Sequence, residues 1–133
     1  MFACYALACE LYLKSLITIE TGGFPREAHD LQKYLSHLSK DAQDQIRSSA
    51  TISGEQRLKQ WQETAKANGD PVPPNYDFDT ALGASRKAFE NWRYVFEKEF
   101  KPGEAWQGGE IMNAVRNIII GRHPEWGPPL HFR

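Results

Sequence analysis

Arg116 and His123 are a pair of residues whose types could together do chemistry. They lie seven positions apart in the stretch VRNIIIGRHPEW, residues 115–126. Histidine exchanges a proton near neutral pH and can serve as a general acid or base. The planar guanidinium of arginine can stabilise negative charge on a phosphate group. On one continuous helix, a spacing of seven residues places both side chains on the same face, two turns apart.

The same stretch also carries signals that end a helix. Gly121 favours a helix stop and Pro124 prevents continuation, so the helix is expected to end before His123. In the structural interpretation, Arg116 is a solvated charge, while Arg122 and His123 favour the negative C-terminal end of the helix dipole. The sequence leaves the chemical and the structural interpretation open.

The elements that must position this pair are predicted to be helices. Apolar residues recur at three- and four-residue steps, and no alternating strand pattern appears. Helices are predicted over residues 2–20, from Pro25 to Leu38, over 41–46 with Ser39 as cap, over 54–67 on the surface, over 80–100 with Asp79 or Thr80 as cap, and through Ile111, Val115, Ile118 and Ile119 to Gly121.

Length predicts a single domain over residues 1–133. Helical spacing without a strand pattern predicts that it is all-α, an up-and-down helical bundle with short additional helices. The first helix has no cap residue before it, so a segment upstream of it can be missing. Apolar content of 41% and charged content of 25% are ordinary for a soluble globular protein. The net charge of -1 gives no global electrostatic reason for nucleic acid as a partner.

Cys4 and Cys9 are the two cysteines, and on one helix they face different directions. We therefore expect buried free thiols, no disulfide and a reducing, cytoplasmic compartment. Neither belongs to a metal-binding cluster, and we expect no metal and no cofactor. The apolar run over 1–19 is interrupted by Glu10 and Lys14 and lacks a basic start and a cleavage site, which argues against a signal peptide or a membrane span.

Three blocks of the chain resemble the HEPN superfamily, helical domains named for their occurrence in higher eukaryotes and prokaryotes. The blocks are YALACELYLKSLI over 5–17, HDLQKYLSHL over 29–38 and FENWRYVFE over 89–97. They look most like bacterial HEPN-domain proteins whose first helix reads A-x-E-L-Y-L-K-A-L, followed by a glycine turn and H-D-L-x-x-L. The resemblance spans roughly residues 2–100. It implies a bundle built around a long antiparallel helix pair.

The resemblance also implies where an active site would lie. Many HEPN proteins are metal-independent endoribonucleases of toxin–antitoxin, abortive-infection and CRISPR-linked systems, and they commonly dimerise so that two motifs share one cleft. Their motif is an arginine, four to six residues that often begin with Asn, Asp or His, and a histidine. Arg116, Asn117 and His123 match it with six residues between the ends. By this likeness His123 is the acid or base, Arg116 holds the phosphate and Asn117 orients it.

Five further residues are candidates for a ligand site, namely Glu10, Lys14, His29, Arg93 and Tyr94. Glu10 and Lys14 form an i,i+4 pair worth about 0.2–0.5 kcal/mol if exposed. Their helix is apolar nearly all round, so at least one is expected to point into a cleft or to meet a partner such as His29 or Arg93. The alternative role for the pair is a structural polar network. His29, near the start of the second helix, can likewise be a satisfied structural histidine.

Arg93 and Tyr94 have two interpretations as well. Arg93 belongs to a ladder with Arg86, Glu90 and Glu97 that is typical of a solvated helix face. By the resemblance of the block WRYVFE, Arg93 and Tyr94 would line a shared groove, where arginine can hold a phosphate and tyrosine can stack a base. The tryptophans are expected in or beside the core, at Trp61, Trp92, Trp106 and Trp126.

Three hypotheses of function follow. The first is a homodimeric, metal-independent ribonuclease of a toxin–antitoxin or phage-defence system. The second is a HEPN module without catalysis that binds a nucleotide, RNA or a protein partner such as a cognate antitoxin. The third is a purely structural dimerisation domain.

Overall fold

The computed structural model describes residues 2–23, 26, 30–71, 75–85 and 109–127. Over these residues the chain is all-α, with no strand. The helices are α1 (Phe2–Thr21), α2 (Leu31–Ser36), α3 (Lys40–Asn68), α4 (Phe78–Ser85), α5 (Gly109–Arg122) and a short 3-10 turn (Pro124–Trp126).

The core forms where α5 packs against both α1 and α3, while α2 packs against α1 and α4. Each helix contributes the apolar stripe that its three- and four-residue steps predict. The side chains buried at this centre are Cys9, Leu13, Leu16 and Ile17 of α1, Leu31, Tyr34 and Leu35 of α2, and Ile111, Ala114, Val115 and Ile119 of α5. Burial raises the pKa of the Cys9 thiol to about 12, helped by the nearby charge of Glu10.

Helix α3 is one continuous element of 29 residues, so the prediction of a short segment over 41–46 and a separate helix over 54–67 is wrong. The intervening serines, threonine and Gly54 are weak helix formers. Tertiary packing overrides that weakness because small buried residues recur every four positions, at Ala42, Ala50 and Gly54 with Ile46 among them. Such a ridge allows another helix to approach closely.

Several helix ends match their sequence signals. Gly22 adopts the left-handed conformation with φ of 81° after α1, as a glycine stop requires. The Ser39 hydroxyl accepts a hydrogen bond from the amide of Ala42 at 3.2 Å and caps α3, as predicted. At α4, the predicted cap Asp79 or Thr80 is wrong, because Asp77 accepts the amide of Thr80 at 3.0 Å instead.

Two further expectations differ from the structure. Helix α5 continues one residue past Gly121 and ends at Arg122. Of the tryptophans expected in or beside the core, Trp61 and Trp126 lie outside it, since 48% and 58% of their respective surfaces are exposed. Pro25, Trp92, Trp106 and most of the predicted helix over 80–100 lie outside the described residues. Among the described helices, none combines the length and apolar character that crossing a membrane needs.

Glu20 joins the ends of three helices. At the end of α1, its carboxylate accepts hydrogen bonds from the amide and hydroxyl of Ser39 at 2.8 and 2.7 Å. The guanidinium of Arg122, the last residue of α5, lies 3.1 Å from the same carboxylate. Burial alone raises the pKa of Glu20, but the bonds from Ser39 and the charge of Arg122 outweigh it and hold the pKa below its usual value.

The contacts of Glu20 with Ser39 and Arg122, which we call the Glu20 clamp, make the free energy of unfolding depend on pH in a defined direction. A carboxyl whose pKa falls on folding stabilises the native state above its unfolded pKa, and the contribution disappears as pH falls through the folded pKa. We expect Glu20→Gln to lower the free energy of unfolding by about 1–3 kcal/mol at neutral pH. In urea unfolding, this deficit should shrink towards acid pH. Glu63→Gln, an exposed change on α3, is the control, and a deficit independent of pH would contradict the assignment.

Candidate functional site

The end of α5 carries His123 in a position that the helix still controls. The amide of His123 donates to the carbonyl of Ile119 at 2.8 Å, which continues the helical ladder one residue beyond Arg122. Only then does the backbone leave the helix, with φ of -133° and ψ of 73° at His123. The chain therefore keeps helical register between Arg116 and the amide of His123, although Gly121 and Pro124 lie in or beside that interval.

The residues HPEW fold as a compact 3-10 turn that orders the His123 side chain. Pro124 occupies the first turn, where its missing N–H costs nothing. A 3-10 helix has three residues per turn, so side chains three positions apart eclipse. The rings of His123 and Trp126 accordingly stack, with centroids 3.9 Å apart and planes inclined by 10°.

Glu125 determines which ring nitrogen of His123 carries the proton when the imidazole is neutral. Its Oε1 lies 3.1 Å from Nδ1 of His123. The hydrogen bond from the amide of Glu125 itself and the one from His123 hold the pKa of the Glu125 carboxyl below its usual value. An ionised carboxylate can only accept, so Nδ1 donates and Nε2 is the basic nitrogen of the neutral ring. No described residue hydrogen-bonds Nε2.

Arg116 differs from the other arginines of the described helices. Arg47, Arg57 and Arg122 pair with Asp79, Glu110 and Glu20 at 3.1, 2.7 and 3.1 Å, respectively. Arg116 has neither a hydrogen bond nor an ion pair with any residue that the structure describes. Its half-buried side chain lines a cavity of about 490 Å³ between α1 and α5, together with Tyr12, Ser15 and Trp126.

No family model, curated protein or solved structure matches this chain. The geometry of the site is therefore the basis for assigning its chemistry.

Asn117 does not join Arg116 in this cavity. Neighbours on a helix point about 100° apart, and Asn117 lines the open groove of about 800 Å³ between α3 and α5. Ile52 and Ser49 of α3 lie on the other side of that groove. Arg116 lines one cavity together with Trp126, and the His123 ring stacks on that indole, whereas Asn117 lines the other groove.

Glu10 and Lys14 form a polar contact at the core, as one of their two interpretations predicts. Glu10 is only 1% exposed, and Oε1 lies 2.8 Å from Nζ of Lys14. The Tyr34 hydroxyl donates to the same oxygen at 3.4 Å. Hydrogen bonding to Glu10 raises the pKa of Lys14, while burial and then the charge of Glu10 raise that of Tyr34. This buried cluster ties α1 to α2.

The remaining predicted ligand residues, His29, Arg93 and Tyr94, lie outside the described residues. The described part of the chain holds no group of three or more His, Cys, Asp or Glu side chains that could bind a metal ion.

Sequence reasoning missed three residues of the site, namely Tyr12, Glu125 and Trp126. The pattern HPEW carried a usable signal for the last two, because proline favours the first turn of a helix and an aromatic residue follows histidine at the 3-10 repeat. Tyr12 could not be found in this way, since its place beside Arg116 depends on the packing of α1 against α5.

Proposed function

We propose that this protein is a HEPN-like, metal-independent endoribonuclease that acts as a homodimer in a toxin–antitoxin or phage-defence system. The observation that carries the proposal is the arrangement at the end of α5. Arg116 has no acidic partner among the described residues and lines a cavity with Trp126, on whose indole the His123 ring stacks. No described residue hydrogen-bonds Nε2 of His123, and the sequence of the chain resembles HEPN proteins.

The two side chains supply complementary parts of RNA cleavage. Nε2 of His123 can accept the proton of a 2′-hydroxyl, whose oxygen then bonds to phosphorus. Arg116 stabilises the negative charge that grows on the phosphate oxygens. The bond from phosphorus to the 5′ oxygen breaks, and that oxygen takes a proton from a protonated imidazole. In a homodimer the second copy supplies this second imidazole, so both proton transfers can proceed in one cleft.

The test is incubation of the full chain with mixed RNA in the presence of EDTA. We expect fragments with 5′-hydroxyl and cyclic phosphate ends, and a loss of about 100-fold or more in rate in His123→Ala and in Arg116→Ala. His37→Ala and Arg47→Ala replace exposed residues of the same types, just after α2 and on α3, and they should keep full activity. Intact RNA in the presence of a folded dimer would overturn the ribonuclease proposal.

A second candidate is a HEPN-like binding module without catalysis. Leu11 and Trp126 favour it, because both side chains are more than half exposed and line one groove beside α1. Exposed apolar surface of this kind is typical of binding sites. An RNA, a nucleotide, a cognate antitoxin or a second copy of the chain would be the partner. Binding of RNA in EDTA without cleavage would select this candidate over the enzyme.

A further inference from the structure

Trp126 exposes a flat aromatic surface and lines the same cavity as Arg116. The imidazole of His123 lies against one face of the indole at stacking distance, so nothing can enter between the two rings. Yet 58% of the Trp126 surface is exposed. Much of this exposed area must therefore belong to the other indole face and to the ring edges, which are open to a planar ligand.

The cavity beside this surface has the chemistry of a nucleotide site. Arg116 provides a cation with no described acidic partner, and charge of that kind favours a phosphate. Tyr12 adds a second aromatic ring on the α1 side. The Ser15 hydroxyl donates to the carbonyl of Leu11 at 2.8 Å, which leaves its oxygen able to accept a hydrogen bond. A volume of about 490 Å³ is within the usual range for small-ligand sites.

We infer that this cavity holds one nucleotide of single-stranded RNA, with its base stacked on Trp126 and its phosphate on Arg116. The choice of RNA as the ligand rests on the proposed function, whereas the stacking site follows from the geometry. His123 packs against the opposite face of the indole, so the indole lies between the stacked base and the imidazole. Trp126 is then a binding residue for the substrate and takes no part in proton transfer.

The decisive measurement is binding of a short 2′-O-methyl oligonucleotide of mixed sequence, followed by fluorescence anisotropy. This probe lacks the 2′-hydroxyl and cannot be cleaved, so binding is measured apart from catalysis. Loss of a base-stacking aromatic side chain weakens binding by about 5- to 150-fold, and we expect this range for Trp126→Ala. Trp126→Phe keeps a ring and should retain most of the affinity.

Trp61→Ala is the matched control, because Trp61 is 48% exposed on α3 and lines neither the cavity nor the stacked turn. It should bind the probe like the original protein. Arg116→Ala should weaken binding and make it less sensitive to salt by the loss of about one phosphate contact. Circular dichroism and urea unfolding check that each variant is folded.

Equal affinity of the original protein and a folded Trp126→Ala variant would overturn the inference, as would an equal loss in Trp61→Ala. If Trp126→Ala changed only the sedimentation of a dimer and not probe binding, the exposed indole would be a contact between two copies of the chain. That result would also overturn the inference. Probe binding that needs Trp126, without cleavage of ordinary RNA, would sustain the stacking site and defeat the ribonuclease proposal. Cleavage of ordinary RNA, together with probe binding that Trp126→Ala leaves unchanged, would support the ribonuclease proposal and overturn the stacking site.

Discussion

Replacing Lys14 with methionine is expected to lower the free energy of unfolding by about 2–3 kcal/mol. Methionine keeps the apolar stem of the side chain but removes the ammonium group that lies 2.8 Å from Oε1 of Glu10. The Glu10 side chain is 2% exposed, so little water can reach its carboxylate in place of the ammonium group. Loss of one partner from a fully buried pair costs about 3–5 kcal/mol. We expect less here because 27% of the Lys14 side chain reaches solvent.

Lys40→Met is the matched control for this measurement. Lys40 and Asp44 also form an i,i+4 pair, at 3.7 Å, but their side chains are 88% and 61% exposed. An exposed pair contributes about 0.5 kcal/mol or less. Urea unfolding at neutral pH gives both values, and Glu10→Gln tests the same contact from its other side. Equal, small effects of Lys14→Met and Lys40→Met would show that burial of Glu10 does not strengthen the pair.

Gly54→Ala is expected to destabilise the protein by about 1–3 kcal/mol, although alanine is the better helix former. Gly54 is buried within α3 and lies directly against the ring of Tyr76. A β-carbon at this position would overlap the ring, including Cγ, which is close to the backbone of Tyr76. The overlap cannot be relieved by moving only the tip of a flexible side chain, so the segment before α4 must shift.

Gly83→Ala provides the control, because this helical glycine of α4 is exposed and has nothing within 4 Å of its added β-carbon. Its stability should be unchanged or rise by up to about 1 kcal/mol. Combining Gly54→Ala with Tyr76→Ala should cost less than the sum of the two single changes, since the second removes the ring that the first would strike. Urea unfolding gives the free energies of the original protein and of the four variants, and strict additivity of the Gly54→Ala and Tyr76→Ala effects would contradict the assigned contact.

Local sequence signals predicted much of the helical framework correctly. The buried stripe Cys9, Leu13, Leu16 and Ile17 and the glycine stop at Gly22 follow from helical spacing and backbone freedom, which act within one or two turns. Ser39 capped α3 for the same local reason. The position of the Arg116 and His123 pair near the end of a helix was also foreseen, because Gly121 and Pro124 limit that helix.

Two features of the structure were not predicted from the sequence, namely the continuity of α3 and the exposure of Trp126. The ridge of Ala42, Ala50 and Gly54 makes α3 continuous by allowing close packing, but alanine and glycine give a weak hydrophobic pattern. Trp126 was expected in or beside the core because aromatic residues usually bury much of their area. The 3-10 turn instead stacks it on His123 and leaves it largely exposed.

Local sequence was enough to place most apolar helix faces and several helix ends, because these depend on neighbours a few residues away, whereas the continuity of α3 also needed packing against other helices. Which distant polar residues meet depends on that packing alone. Glu20 and Arg122 are 102 positions apart and form one clamp, whereas the adjacent residues Arg116 and Asn117 line different grooves. The Glu10 and Lys14 spacing was visible in the sequence, but its strength depends on how completely the packed helices exclude water from the carboxylate.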